Sequence, residues 1–343
     1  MTTARIQGDG DAPSYYHVMS RSVSDTEGSL RLFGAHEKNV FAKQMRKFAD
    51  FTGIEVLTWC MLDNHFHLLI RVPAREEFIA MVMANGRERF WKHLRILYSR
   101  ERVKAVRDEI EKLEKEGGRE RRIQDILGSY TRRMADLSAF VQGLKQAFSM
   151  WFNHKHSRVG TLWMRRFKSV LLEGESSVLH KVAAYIDLNP VRAAIVKDPG
   201  DYRWSGYGQA EGGKIEARRG LSAVYGYSRN EWKLISREYR QLLYLEGVEV
   251  RGADGIVVRM GVSRDDFYRE SAEKRGESAT KRLARRVRYF TDGAAIGSRE
   301  FLEQVFKKNR FLFGPKRKSG ARRFRGPGWK GAGIFSLRDL RSG

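Results

Sequence analysis

Apolar residues alternate with polar ones over several short runs of this chain and recur every three or four residues over most of the rest. Residues 15–19 form a β-type run carrying His17. Over residues 36–52, Val40, Phe41, Met45 and Phe48 recur at helical spacing, and Gly53 supplies a stop signal. Residues 54–61 and 65–72 read as two strands joined at Leu62-Asp63-Asn64. A long helical pattern covers about residues 76–98. It runs into a charged stretch, residues 99–133, where Val103, Val106, Ile110 and Leu113 keep a 3-4-3 spacing and Glu111 precedes Lys115 on one face. Gly117-Gly118 breaks that stretch, so residues 99–135 read as a solvated helical hairpin inserted into the fold.

Beyond the insertion, residues 137–152 resume an amphipathic helix and residues 166–173 form a further strand. Residues 176–188 are helical, with Val178, Leu179, Val182 and Ile186 on the apolar side. Asn189-Pro190 ends this helix, because the residue before proline disfavours the α conformation, and Pro190 opens a new helix over residues 191–197. The order strand, helix, strand, strand, helix, strand, helix predicts an α+β fold: a ferredoxin-like antiparallel sheet with helices on one face. Residues 1–207 make up that domain. Residues 208–220, rich in glycine and charge, read as a linker to a mostly helical, basic region over residues 221–343. Its helices fall near residues 230–245, 264–274, 280–289 and 298–308, and its tail, residues 314–325, mixes basic residues with aromatics.

Charge narrows the partners. The 343 residues carry 65 Lys and Arg against 41 Asp and Glu, a net charge of +24, which concentrates polyanions and above all nucleic acid around the protein. A single cysteine, Cys60, excludes an intrachain disulfide and a cysteine zinc site. No apolar run has the length of a membrane span, and no signal pattern opens the chain, so a cytoplasmic location with no membrane partner is expected.

The chemistry centres on His65-Phe66-His67. Phe66, Leu68, Ile70 and Val72 form one apolar stripe, which places His65, His67 and Arg71 together on the opposite side. Two imidazoles on one strand face are a ready pair of metal ligands, although the same spacing suits two histidines that only hydrogen-bond to backbone. Tyr185 lies one helical turn before Asn189. If that helix packs near the hairpin, a phenol and an amide join the imidazoles, a set suited to phosphoryl transfer in which tyrosine oxygen attacks phosphorus. A nearby cation, or a base such as His17, would help the phenol lose its proton. Tyr185 as a packing tyrosine and Asn189 as an N-cap are the plain alternatives.

Five segments carry a resemblance to a known family: Tyr16-His17-Val18-Met19-Ser20-Arg21, the block from Trp59 to Ile70, Gly160-Thr161-Leu162-Trp163-Met164-Arg165-Arg166-Phe167-Lys168-Ser169, Tyr185-Ile186-Asp187-Leu188-Asn189-Pro190-Val191-Arg192-Ala193, and Asp201-Tyr202-Arg203-Trp204-Ser205. In this order they resemble the single-tyrosine HUH transposases, most closely the REP-associated tyrosine transposase branch. The resemblance implies the HUH endonuclease fold. It implies His65 and His67 as a metal pair with Asn189 as third ligand, Mg²⁺ or Mn²⁺ as the cofactor, and Tyr185 as the nucleophile that cuts single-stranded DNA and leaves a 5′-phosphotyrosine. It further implies recognition of DNA hairpins of repeat elements and allows a homodimer. Arg21, Arg71, Arg165, Arg166 and Lys168 are the expected backbone contacts, and Trp163 the expected base-stacking residue. Two other functions fit the same fold: a DNA-binding regulator without chemistry, and an HUH endonuclease of replication or plasmid transfer. The intact His65, His67 and Tyr185 speak for catalysis, and the lack of a P-loop speaks against replication.

Overall fold

A computed structural model describes residues 5–23, 32–84, 86–247, 250–251, 257–259, 290, 293–323 and 334–338. The first four strands are β1 (Ser14–Arg21), β2 (Glu55–Met61), β3 (His65–Val72) and β4 (Lys168–Leu172). They lie side by side in the order β2-β3-β1-β4, every neighbour antiparallel. A helix, α1 (Ala35–Thr52), connects β1 to β2. It ends as its sequence predicts, with Gly53 at φ 73° returning its N–H to the Ala49 carbonyl.

The sheet is buried on both faces. Phe66, Leu68 and Ile70 pack with Phe41 and Met45 of α1 and with Phe140, Leu144 and Phe148 of a long helix, Leu137–Lys155. On the reverse face, Leu57, Cys60 and Leu69 pack with Val178, Leu179 and Val182 of the helix Ser176–Asp187. A register shift between Val56 and Thr58 turns both Leu57 and Thr58 toward that second face. The expectation of helices on one face is therefore corrected. The unbroken apolar run Leu68-Leu69-Ile70 is the signature of a strand covered on both sides, and the alternating stripe reveals only one of them.

The pattern over residues 76–98 divides into α2 (Arg75–Met83) and α3 (Glu88–Leu94). The chain turns between them with Gly86 at φ 61° and Arg87 at φ 69°. The charged hairpin forms as expected, with α4 (Arg100–Glu116) and α5 (Glu120–Thr131) meeting at Gly117 and Gly118, both at positive φ. Its apolar spine, Val103, Val106, Ile110 and Leu113, joins Phe90, Trp91 and Phe51 in a third core. The hairpin is thus anchored to the end of α1. After α6 (Leu137–Lys155) and β4 come α7 (Ser176–Asp187) and a single turn, α8 (Asn189–Arg192), shorter than the helix expected over residues 191–197.

Residues 208–220 are not a linker. Apart from the turn at residues 212–214, they lie in α9 (Gly206–Glu211) and α10 (Ile215–Val224), whose Tyr207, Ala210 and Leu221 are buried against the sheet together with Tyr239 of α11 (Trp232–Gly247). The glycines there serve close packing: a Cβ on Gly220 would stand 2.5 Å from the Leu57 carbonyl oxygen, and one on Gly206 would stand 2.0 Å from Thr58 Oγ1. The C-terminal region is also less helical than expected. Beyond a short pair, β5 (Val250–Arg251) and β6 (Val257–Arg259), β7 (Ala295–Gly297) joins β4 in parallel, and β9 (Phe335–Leu337) and β8 (Arg322–Arg323) follow it, giving a mostly antiparallel sheet of seven strands. The helix expected over residues 298–308 is present as α12 (Arg299–Lys308), capped by Ser298. Those expected over residues 264–274 and 280–289 lie outside the described residues, as does the tail beyond residue 323 up to 333.

Candidate active site

The pairing register carries His17 and His67 to one face of the sheet. Met19 stands opposite both His67 and Lys168, and Arg21 stands opposite His65. Because paired residues share a face, His17, Met19 and Arg21 of β1, His65 and His67 of β3, and Lys168 of β4 all lie on the face that α7 covers. The turn before His65 is held from several directions. The Leu32 and Phe33 N–H groups both donate to the Asp63 carbonyl, the Ser22 N–H and hydroxyl to the Asn64 carbonyl, and Lys38 binds the Asp63 carboxylate at 2.6 Å.

The imidazoles form a hydrogen-bonded cluster. His17 Nδ1 lies 2.7 Å from the Phe290 carbonyl oxygen, and His17 Nε2 lies 2.9 Å from His67 Nδ1. The Nδ1 of His65 lies 2.6 Å from Asn64 Oδ1. Burial lowers the His17 pKa to about 4 against the raising effect of the Phe290 carbonyl. Burial and then the Arg21 charge lower that of His65 to about 4. The His67 pKa is held well below the usual histidine range by burial and by the charges of His65, His17, Arg192 and Arg21. At neutral pH all three rings are therefore uncharged, as cation ligands must be.

Tyr185 comes to this cluster from α7. Its ring stands edge-on to His67, 5.9 Å between centroids, and to His17 at 5.8 Å, and it packs against Phe290 at 5.2 Å. The helix is fixed to its surroundings by Asp187, which is fully buried. Its carboxylate accepts from Thr58 on β2, from the Tyr207 backbone N–H and, at 2.6 Å, from the Tyr239 hydroxyl. Asn189 does not cap the following helix. Its Nδ2 donates back to the Tyr185 and Ile186 carbonyls at 3.0 and 3.2 Å, which leaves Oδ1 as the atom it can offer a cation. Arg192 adds a residue that the sequence reading did not select. Its guanidinium lies 4.9 Å from the centre of the Tyr185 ring and donates to the Tyr185 carbonyl at 2.8 Å. The need for a cation near the phenol, together with the helical spacing of Tyr185 and Arg192 across Pro190, was the signal available in the sequence.

Among the described residues no group of three or more His, Cys, Asp or Glu side chains is arranged to hold a metal ion. The His65 and His67 rings stand 5.1 Å apart, two nitrogen donors of a kind that divalent cations accept, and the amide oxygen of Asn189 is an oxygen donor of the kind that would complete a mixed set.

Not every expected site residue is here. Trp163 is 7% exposed; its ring packs among Phe33, Phe66 and Phe148, and its indole N–H donates to the Lys145 carbonyl. It is a core residue, placed there because Leu162 and Phe167 bring their whole loop onto the α1 and α6 side of the sheet. Arg71 shares the histidine face but stands at the other end of β3, about 20 Å from His65 at roughly 3.3 Å per residue, where it pairs with Glu55 at 2.7 Å. His17 has both ring nitrogens engaged and is not placed as a free base. Arg21, Arg165, Arg166 and Lys168 are exposed, and Met164 N–H donates to the Arg21 carbonyl, which ties the loop of Arg165 and Arg166 to the strand that ends beside His65.

No helix among the described residues is long and apolar enough to cross a membrane. No protein-family model matches the chain, and no curated protein matches it. Among solved structures, the chain has a distant likeness to one described as a REP-associated tyrosine transposase bound to a REP hairpin: 15% identity over 63% of this chain and 88% of that one, with a TM-score of 0.35.

Proposed function

We propose that this protein is a metal-dependent DNA transposase that cuts and rejoins single-stranded or hairpin DNA through Tyr185, on a ferredoxin-like HUH scaffold. The observation that carries this reading is the meeting of Tyr185, from α7, with His67 and a neutral imidazole cluster more than a hundred residues earlier in the chain. The strand order β2-β3-β1-β4 and the segments that resemble the single-tyrosine HUH family support it.

In this reading His65, His67 and Asn189 hold Mg²⁺ or Mn²⁺, which when bound supplies Lewis-acid polarisation of the phosphodiester. Tyr185 oxygen attacks phosphorus, the bond from phosphorus to the 3′ oxygen breaks, and the phenolic proton lost is matched by the proton the 3′ oxygen gains. The Arg192 guanidinium offsets negative charge developing at the phenol. A 5′-phosphotyrosine conserves the phosphodiester, so attack by another 3′-hydroxyl reverses the step and joins strands without ATP. Arg21, Lys168, Arg165 and Arg166 contact the phosphates that lead into the site, and hairpins of repeat elements are the expected substrate.

The test is end-labelled single-stranded DNA from the flanks of the protein's own gene, incubated with Mn²⁺ or Mg²⁺ and run on a denaturing gel. A metal-dependent protein–DNA adduct is expected, and Tyr185→Phe should abolish it. An adduct that survives this substitution moves the nucleophile elsewhere. DNA binding without cleavage on every hairpin substrate would favour the non-catalytic regulator.

A further inference from the structure

We infer that His17 is a positioning residue that sets the tautomer of His67, through a hydrogen-bond relay that starts at the Phe290 carbonyl and leaves the Nε2 lone pair of His67 bare for a cation. A carbonyl oxygen only accepts, so the 2.7 Å contact places the proton of His17 on Nδ1. His17 is 0% exposed, where an imidazolium would be costly, so it carries one N–H and its Nε2 must accept. Its partner at 2.9 Å is His67 Nδ1, which must donate, and the remaining nitrogen of His67 has no proton. Asn64 Oδ1 does the same for His65 at 2.6 Å. The two imidazoles thus reach one tautomer by different routes, one local to the hairpin and one that recruits β1 and the C-terminal region.

Packing does not require an imidazole at position 17. The side chain is 0% exposed and packs against the rings of both His67 and Tyr185, where an apolar ring would fill the same volume without the cost of burying two polar nitrogens. Hydrogen bonds from outside the ligand set that fix ring orientation and basicity are worth about 10- to 100-fold in metal affinity where they have been removed. The inference rests on the cation site proposed above, but the tautomer itself is a property of the metal-free protein.

Two variants of the full chain separate the possibilities. His17→Phe keeps a ring and removes both nitrogens. His17→Gln keeps an acceptor and a donor joined through one carbon, as in the imidazole. Long-range proton–nitrogen spectra of the metal-free protein should show His67 protonated at Nδ1 in the wild type, a loss of that preference in His17→Phe, and its return in His17→Gln. Mn²⁺ affinity, followed by electron paramagnetic resonance, should fall about 10- to 100-fold in His17→Phe and recover in His17→Gln, with circular dichroism confirming that each variant is folded. An unchanged His67 tautomer in folded His17→Phe overturns the relay whatever the metal does. Unchanged Mn²⁺ affinity in that variant, with binding lost in His67→Ala, overturns the link from relay to cation. A wild-type protein that shows the tautomer pattern and binds no Mn²⁺ refutes the metal-dependent function and upholds the relay.

Discussion

Trp163 and Arg71 show how far residue type alone misleads about a DNA-contacting role. A tryptophan in a loop flanked by arginines reads as a stacking platform, yet its ring is enclosed by Phe33, Phe66 and Phe148. Trp163→Ala should therefore lower the stability of the whole protein by about 3–5 kcal/mol in chemical denaturation, the range for deleting a buried aromatic. A variant of unchanged stability that had lost only DNA affinity would restore the stacking role. For His65, His67 and Tyr185, by contrast, residue type and strand or helix position made them candidates and the family resemblance singled them out, and the structure brings the Tyr185 ring against His67. The partners that orient them were not legible: Asn64 because an asparagine in a turn has a turn explanation of its own, Phe290 because its contribution is a backbone carbonyl.

At the scale of elements, α7 is the part whose placement decides the site, and it is held by polar contacts as well as by its apolar face. Asp187 ties it to β2, α9 and α11. A second polar knot lies nearby, where Asp198 receives the Gly200 N–H, the Tyr244 hydroxyl and the Arg240 guanidinium. Burial acts to raise the Asp198 pKa, but these three donors outweigh it and leave the carboxyl below its usual value. A depressed folded-state pKa stabilises the protein above the unfolded pKa, about 3.9 for aspartate, and that contribution is lost as pH falls through the folded value. Stability measured by urea denaturation should thus decline over this acidic window, and Arg240→Met should make the decline shallower. An identical slope in the variant would show that Arg240 contributes nothing to the shift. The helix ends and strand bounds here were largely legible, since Gly53, Pro190 and the Gly117-Gly118 turn act through local backbone preferences. The division of residues 76–98 at Gly86 is the exception, although Asn-Gly is a turn-forming pair.

For the whole molecule, the boundary expected at residue 207 does not separate two domains. Tyr207, Leu221, Tyr239, Phe290 and Ile296 share one core with Leu69 and Val182, and Leu302, Phe306 and Leu337 share the other with Phe41 and Phe66. A chain ending at residue 247 would uncover the β4 edge that β7 pairs with and remove the Phe290 carbonyl from His17. Such a truncation should aggregate or lose cooperative thermal unfolding; a soluble, cooperatively folding fragment would reinstate the boundary. Removal of the chain beyond residue 310 would take β8 and β9 out of the sheet together with the basic tail.

The sequence by itself determined most of the elements from β1 to α7, their order and the basic character, and it made His65, His67 and Tyr185 candidates that the family resemblance then singled out. These follow from local periodicity, turn residues and side-chain chemistry, which act over a few positions. Tertiary structure alone decided that both sheet faces are covered, that the glycine-rich stretch is packed rather than free, and that the C-terminal region completes the sheet. It also decided that His17 meets both the Phe290 carbonyl and His67. Each of these depends on contacts between residues far apart in the chain, as when Phe290 meets His17 across 273 positions, and no local pattern encodes such a meeting.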